Sequence, residues 1–239
     1  MTDRTYFVLK RLHSLSGVVP IAGFVAFHLF ENSNSVLGAD KFNETVHTIR
    51  SMPYLSLLEV GLLAPILFHA LMGVYLVSLG KRNTLQYPTR ANWSYTLQRV
   101  TGMILLFFIA FHVYTTRFAG IASDQMFQYM AGQYAHAWIS GFYVLGILSA
   151  AFHLSNGLWG FLVAWGIVTG EKSMDLVWKG CMGLGLGVAL MGLNALAGFH
   201  GSGVKVFFHQ EPASTSAAQA PAAAAAAPVA ASTTAQAKN

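Results

Sequence analysis

Four of the nine histidines in this 239-residue chain lie inside long stretches without charged residues, where they are the side chains best suited to do chemistry. They are His28, His69, His112 and His153. An ionisable side chain within membrane hydrocarbon is costly, so a binding partner is expected for it. Imidazole is an axial ligand of haem iron and a common ligand of zinc. These side chains therefore predict either two pairs of axial haem ligands or a zinc site.

The neighbours of these histidines favour haem without deciding the matter. Zinc sites usually include carboxylates or thiolates, whereas haem needs imidazole together with small and aromatic neighbours. Both kinds of neighbour are present, namely Phe27, Phe68, Phe111 and Phe152, each directly before a histidine, and Gly17, Gly73, Gly102 and Gly157. Taken alone, these residues fit ordinary helix packing, and a lone membrane histidine is more commonly a hydrogen-bonded packing residue than a ligand.

The single cysteine, Cys181, narrows the chemistry further. It excludes a disulfide framework, an iron–sulfur cluster held by cysteines of this chain, and the two-cysteine attachment of c-type haem. Any haem bound by this chain is therefore b-type, without a covalent bond to the protein.

The composition indicates which kind of element positions the histidines. Hydrophobic residues make up 54% of the chain and charged residues only 10%, with a mean hydropathy of +0.50, whereas a soluble domain has about 25% charged residues. This balance predicts an all-α integral membrane protein. The net charge of +5 does not indicate nucleic-acid binding, because the basic residues lie between apolar stretches rather than in one patch.

Five charge-free stretches predict five transmembrane helices, since about 20 residues cross the roughly 30 Å of bilayer hydrocarbon. The predicted spans are residues 12–30, 60–80, 100–116, 125–170 and 180–204. The fourth stretch begins with several polar residues, so we expect an interfacial segment followed by one helix from about Ala137. The four histidine-bearing helices are expected to form a bundle. The fifth is expected to flank it, with Gly183 and Gly187 at a close-packing spacing.

The domain organisation and orientation follow from the flanking residues. Residues 1–205 are predicted to form the transmembrane domain, and residues 206–239 an Ala/Pro-rich C-terminal tail without a fixed structure or chemistry. An N-terminus in the cytoplasm and a C-terminus outside place nine of the 14 Lys and Arg residues inside and five outside, which agrees with the positive-inside tendency. No cleavable signal is evident, so the first helix is expected to remain.

Three segments carry a resemblance to a known family: 11–17 (RLHSLSG), 97–102 (LQRVTG) and 153–160 (HLSNGLWG). Together they resemble the cytochrome b membrane anchor of succinate dehydrogenase, in its single-subunit, five-helix, two-haem form, which some quinol:fumarate reductases share. The resemblance extends over roughly residues 4–198. It implies that His28, His69, His112 and His153 are axial ligands of two b-type haems.

The resemblance also implies a function within respiratory complex II and the tricarboxylic acid cycle, in a bacterial cytoplasmic membrane. A flavoprotein subunit would oxidise succinate, an iron–sulfur subunit would relay electrons, and this chain would anchor both and pass electrons through haem to menaquinone or another quinone. On its own it is expected to have no activity on succinate. The reverse reaction, as in quinol:fumarate reductase, remains an alternative, as does a non-redox membrane transporter or a zinc-binding protein.

Two further sets of residues are candidates for ligand contacts. Haem propionates need cations and hydroxyls near a membrane boundary, and the candidates are Arg11, His13, Ser14, Arg99 and Thr101. A quinone head group near the outer surface needs hydrogen-bond donors and proton-exchanging groups, and the candidates are Glu31, His47, Glu59 and His136.

Residue counts along the helices do not decide which histidines share a haem. From the resemblance, we expect His28 and His112 to hold an outer haem, and His69 and His153 an inner one. Two haems in series would be needed if electrons cross the membrane, so the working quinone site is expected near the outer surface.

Overall fold

The computed structural model describes residues 2–81 and 83–206, and its regular structure is helical throughout these ranges. Five helical segments are long and apolar enough to cross a membrane: Asp3–Leu37, Leu55–Ser78, Arg90–Thr116, Ala137–Ala164 and Glu171–Phe199. The predicted fold class, an all-α membrane protein with five spans, is confirmed. The predicted tail lies, except for Val206, outside the described residues.

The first span is not a uniform helix. Helix α1 (Asp3–Ser16) passes into a π-helical turn (Gly17–Ile21), then into α2 (Ala22–Asn32) and a final 3-10 turn (Ser33–Leu37). Pro20 lies inside the π-helical turn. Proline lacks the N–H that an α-helix would use and clashes with the carbonyl four residues earlier, so a wider turn accommodates it.

The other four spans are single helices: α4 (Leu55–Ser78), α5 (Arg90–Thr116), α7 (Ala137–Ala164) and α8 (Glu171–Phe199). Helices α5 and α8 begin about ten residues before the spans predicted from charge. The reason is that charged residues mark the edge of the hydrocarbon rather than the end of a helix, which can continue into the headgroup region.

The end of the bundle that holds the start of α1 is called the inner end below. Arg11 of α1 donates a hydrogen bond to the carbonyl of Ala164, the last residue of α7. Arg90 at the start of α5 pairs with Asp175 near the start of α8 at 2.7 Å. These contacts, together with the short connection from α7 to α8, show that the second half of α1, the N-terminal ends of α5 and α8 and the C-terminal end of α7 lie together.

Two short helices form a layer at the opposite, outer end: α3 (Ala39–Arg50) and α6 (Met126–Tyr134). Helix α6 falls on the polar segment expected to be interfacial, whereas α3 was not predicted. Phe42 of α3 belongs to one buried cluster with residues of α6, α7 and α8. Asn43 fastens α3 to the start of α6, because its side chain donates to the carbonyl of Asp124 and accepts from the N–H of Phe127.

The fifth span packs on α7, but not through the glycines singled out in the sequence. A Cβ atom at Gly183 or Gly187 would meet nothing within 4 Å. At Gly185 it would come within 2.6 Å of Ser155 Oγ, and at Gly192 within 2.8 Å of the Ile147 side chain. The Gly183–Gly187 prediction was therefore wrong, because α8 has glycines on more than one face and the sequence does not say which face meets α7.

Candidate cofactor site

The four predicted ligand histidines come together in two pairs. The ring centroids of His28 on α2 and His112 on α5 are 5.6 Å apart, with the ring planes at 80°. Those of His69 on α4 and His153 on α7 are 6.2 Å apart, with the planes at 77°. Since a metal–imidazole bond is about 2 Å long, two imidazoles on opposite sides of one iron have centroids about 6 Å apart. The spacing of both pairs thus fits one iron between each.

His69 and His153, the pair nearer the inner end, each place one ring nitrogen against a backbone carbonyl of a neighbouring helix. His69 Nδ1 lies 2.9 Å from the carbonyl oxygen of His13, and His153 Nδ1 lies 3.0 Å from that of Gln98. A ring nitrogen facing a carbonyl must carry the proton, which leaves Nε2 with a free lone pair. Metal-binding histidines commonly donate their other N–H to such an acceptor.

Glycines allow these imidazoles to lie close against the neighbouring helices. A Cβ atom at Gly17 would come within 2.8 Å of His69 Cε1, and one at Gly102 within 3.0 Å of His153 Cε1. Any larger residue would push the ring away from its carbonyl acceptor. The sequence indicated these glycines only as packing residues.

The outer pair is held by side chains instead. The Tyr143 hydroxyl lies 3.1 Å from His112 Nδ1. The Asn32 amide donates to the His28 carbonyl at 2.7 Å and lies 3.4 Å from His28 Nδ1 and 3.5 Å from His28 Nε2. Phe24 stacks on His28 at 5.2 Å and Phe108 on His112 at 5.9 Å between ring centroids.

Three of these contact residues were not recognised from the sequence, namely Asn32, Gln98 and Tyr143. The signal available was their polarity, because a polar side chain in or beside a membrane span needs a partner.

Two of the five candidates for propionate contacts, His13 and Arg99, have a buried nitrogen that suits an anion, whereas a third, Thr101, already contacts an imidazole. His13 stacks on His69 at 4.0 Å between centroids. His13 Nδ1 and Arg99 Nε are buried without a hydrogen-bond partner among the described residues. The Thr101 hydroxyl lies 3.3 Å from His153 Nδ1. Buried N–H groups are nearly always paired, so an anionic group at the inner end would complete this set. The chain's own donors therefore fit a haem at the inner pair.

The other two propionate candidates already have partners within the protein. Arg11 lies against the rings of Phe7 and Trp165, at 5.0 and 5.5 Å from their centroids. The Trp165 indole N–H donates to the Ser14 hydroxyl at 3.1 Å. Both residues fasten α1 to the end of α7, and their contact with propionate stays a prediction.

Within the described residues, no hydrogen bond or ion pair joins the four quinone candidates to one another. Glu59 instead accepts two hydrogen bonds from Arg117, at 2.6 and 3.2 Å, which raises the pKa of the Arg117 guanidinium above its ordinary value. Glu31 is half-buried at the end of α2, whereas His47 and His136 are exposed. Their role in quinone binding stays a prediction.

The described part of the chain offers no arrangement suited to a bare metal ion. No three His, Cys, Asp or Glu side chains there are placed to hold one. A zinc site needs three or four such ligands, whereas each histidine pair brings two imidazoles together.

Comparison with known proteins gives matches over most of the chain. A family described as "Succinate dehydrogenase/Fumarate reductase transmembrane subunit" matches residues 80–179. The succinate dehydrogenase cytochrome b558 subunit of Bacillus subtilis is 37% identical over 201 residues, which cover 83% of this chain and 100% of that protein. The succinate dehydrogenase hydrophobic membrane anchor subunit of Halobacterium salinarum is 38% identical over 65 residues, or 27% of this chain and 49% of that protein.

Proposed function

Because this chain belongs to the family of succinate dehydrogenase and fumarate reductase transmembrane subunits, we propose that it is the membrane anchor of a succinate:quinone oxidoreductase and its diheme cytochrome b. The observation that carries the proposal is the presence of two pairs of imidazoles in one helical bundle. Within each pair the ring centroids are 5.6 and 6.2 Å apart, respectively. Haem b, when bound, accepts and releases single electrons, as transfer from an iron–sulfur subunit to quinone requires.

The chain's own residues would hold the two haems at different depths. His28 and His112 would ligate the outer one, and His69 and His153 the inner one. The unpartnered His13 Nδ1 and Arg99 Nε are the donors best placed for the propionates at the inner end. Arg11, Ser14 and Thr101 remain further candidates for the same contacts.

The partners are proposed to be a flavoprotein subunit that oxidises succinate and an iron–sulfur subunit, docked at the inner, cytoplasmic end. This end exposes the N-terminal segment, the connection between α4 and α5, and the start of α8. Arg90 and Lys179 both pair there with Asp175, at 2.7 and 2.8 Å. Such exposed pairs are weak, so Arg90 and Lys179 can exchange Asp175 for an acidic group on a soluble partner.

The quinone, for which menaquinone is the proposed type, is assigned to the outer end. An acceptor at the inner end would need no relay across about 30 Å of hydrocarbon, so a second haem supports an acceptor on the far side. Glu31, His47, Glu59 and His136 would then serve proton exchange. Reduction of quinone is the proposed direction, and the family description also includes the reverse reaction of fumarate reductases.

The test is the reduced-minus-oxidised absorption spectrum of the purified complex. We expect a b-type α-band with two components, together with two co-purifying soluble subunits. A complex without such a band would overturn the proposal and reopen the transporter and zinc interpretations.

A further inference from the structure

His69, one of the two proposed inner ligands, contacts a short segment of the first span. The His13 carbonyl accepts from His69 Nδ1 at 2.9 Å. Three residues later, the Ser16 hydroxyl lies 3.2 Å from the same nitrogen and donates to the His13 carbonyl at 2.9 Å. The next residue, Gly17, faces the Cε1 edge of the imidazole.

His153, the other proposed inner ligand, contacts a segment of α5 in the same order. The Gln98 carbonyl accepts from His153 Nδ1 at 3.0 Å. Three residues later, the Thr101 hydroxyl lies 3.3 Å from that nitrogen, and its proton faces the Leu97 carbonyl at 2.7 Å and the Gln98 carbonyl at 3.2 Å. The next residue, Gly102, again faces the Cε1 edge of the ring.

We propose that residues 13–17 and 98–102 are two copies of one imidazole seat, in which the hydroxyls of Ser16 and Thr101 are positioning groups for the inner haem ligands. Each seat consists of a carbonyl, a hydroxyl three residues later and a glycine four residues later. The inference rests on the proposed haem function. The outer pair has no such seat, since its contacts come from the Asn32 amide and the Tyr143 phenol.

The physical role of the hydroxyl follows from its hydrogen bonds. Its proton is donated to its own helix, so an oxygen lone pair faces the imidazole N–H as a second acceptor beside the carbonyl. A stronger acceptor at Nδ1 makes the imidazole a more basic metal ligand, which favours oxidised over reduced iron. Removing either hydroxyl should therefore raise the midpoint potential of the inner haem. The glycine permits the ring to reach the carbonyl.

The hydroxyl test uses the whole detergent-solubilised complex, with redox titration of the b-type components and the electron paramagnetic resonance (EPR) spectrum of the oxidised haems. We expect Thr101→Val and Ser16→Ala each to raise the potential of one and the same component, and the double variant to raise it further. Thr101→Ser should remain at the wild-type value because it keeps the hydroxyl.

Matched controls exist for both hydroxyl variants. The Ser78 hydroxyl donates to the carbonyl three residues earlier at 2.7 Å, and the Thr45 hydroxyl to the carbonyl four residues earlier at 3.0 Å; neither hydroxyl makes a hydrogen bond to an imidazole within the described residues. Ser78→Ala and Thr45→Val should leave both potentials unchanged. If the midpoint potential does not shift in Thr101→Val and Ser16→Ala, or shifts equally in the controls, the proposed seat is wrong.

The glycines provide a second, steric test that does not depend on hydrogen bonding. Gly17→Ala and Gly102→Ala should each displace an inner ligand, and so change or abolish one low-spin ferric EPR signal while the other persists. Gly61→Ala and Gly160→Ala are the controls, because a Cβ atom at either position meets nothing within 4 Å. If the wild type contains two b-type haems and the seat variants behave like the controls, the seat is wrong and the proposed function stands; a haem-free wild type would overturn the function itself.

Discussion

Three of the four proposed ligand histidines are oriented by a helix other than their own. His69, His112 and His153 have Nδ1 engaged across a helix–helix contact, whereas the amide near His28 Nδ1 comes from Asn32, on the same helix α2. The carbonyl contacts of His69 and His153 also fix which ring nitrogen carries the proton and how the ring is turned. The histidine pairs are therefore a property of the assembled bundle rather than of any single helix.

Substitution of single histidines should reveal the pairing. His69→Ala and His153→Ala should perturb the same b-type spectral component, and His28→Ala and His112→Ala the other, because each pair lies around one site. Optical redox titration of membranes measures both components. The exposed His47 provides the control, since His47→Ala should retain both haems. If His69 instead shares its component with His112, the pairing is wrong.

The side chain of Gln98 is expected to stabilise the bundle without ligating anything. It donates to the His153 carbonyl at 3.0 Å and accepts from the buried Asn156 amide at 2.9 Å. Gln98→Leu would remove both hydrogen bonds and should cost about 1–3 kcal/mol of stability, at about 0.5–1.5 kcal/mol for each bond. Thermal unfolding of the complex in detergent measures this loss.

The backbone carbonyl of Gln98 would persist in that variant, so the haem spectrum should remain. Gln86 is exposed, and Gln86→Leu should leave the unfolding temperature unchanged. A Gln98→Leu complex as stable as wild type would show that this hydrogen-bonded group contributes nothing.

At the scale of helices, the contact between α7 and α8 depends on one face of α8. The Gly185 position lies against Ser155 Oγ and, at 3.1 Å, the Ala151 carbonyl oxygen, which is backbone and cannot move aside easily. Gly183, two residues earlier, is exposed and has free space around it. Two glycines of one helix thus have opposite packing roles.

Leucine substitutions at these two glycines should separate the roles. Gly185→Leu should force α8 away from α7 and lower the yield and unfolding temperature of the assembled complex, because overpacking costs typically about 1–3 kcal/mol. Gly183→Leu should be tolerated, since an apolar side chain facing lipid is not penalised. Equal behaviour of the two variants in size-exclusion and thermal unfolding measurements would contradict the described interface.

The outer layer, formed by α3 and α6, contacts the bundle through aromatic side chains. Tyr134 of α6 packs against Tyr143 of α7 with ring centroids 4.7 Å apart. Burial, followed by the influence of Tyr143, raises the pKa of the Tyr134 phenol well above its ordinary value, so it stays neutral at physiological pH. Because Tyr143 also contacts His112, at 5.8 Å between ring centroids, these aromatic contacts connect the outer layer to the outer histidine pair.

For the whole molecule, we expect that this chain alone does not oxidise succinate and that two soluble subunits co-purify with it. Charge reversal at Lys81 and Arg82, the latter outside the described residues, should loosen those subunits, because Lys81 lies at the end proposed for docking and Arg82 follows it directly in the sequence. Retention of the soluble subunits after a salt wash measures the effect. Lys41→Glu at the outer end is the control, and a fully stable solitary chain from native membranes would contradict the prediction.

The proposed outward electron route predicts a dependence on membrane potential. In this route electrons cross the membrane outward, and the protons for quinone reduction are taken up at the outer side. The membrane potential changes the free energy of each electron's crossing by about 2.3 kcal/mol per 100 mV, and an inside-negative potential drives the transfer. Collapsing the potential with an uncoupler should therefore slow succinate oxidation by quinone in intact cells. The same uncoupler should have no effect on the complex in detergent, and uncoupler-insensitive oxidation in cells would refute the outward route.

The sequence by itself determined the five spans and the placement of one histidine on each of the first four. Both follow from a local rule, since charged and polar side chains are costly in hydrocarbon wherever the helix around them points. The polar segment before Ala137 was assigned correctly for the same reason. The three motif segments additionally indicated the family, which the comparisons confirmed.

Only the tertiary structure decided which helix faces meet. The carbonyls of His13 and Gln98 as acceptors and the choice of Gly185 over Gly183 depend on how helices are rotated against one another. Residue counts along the helices left the histidine pairing open, and only the family resemblance indicated it in advance. In a soluble protein, an apolar stripe would reveal that rotation. In lipid, the faces toward lipid and toward protein are both apolar, so helix packing rests on close steric fit and a few hydrogen bonds that residue types alone do not specify.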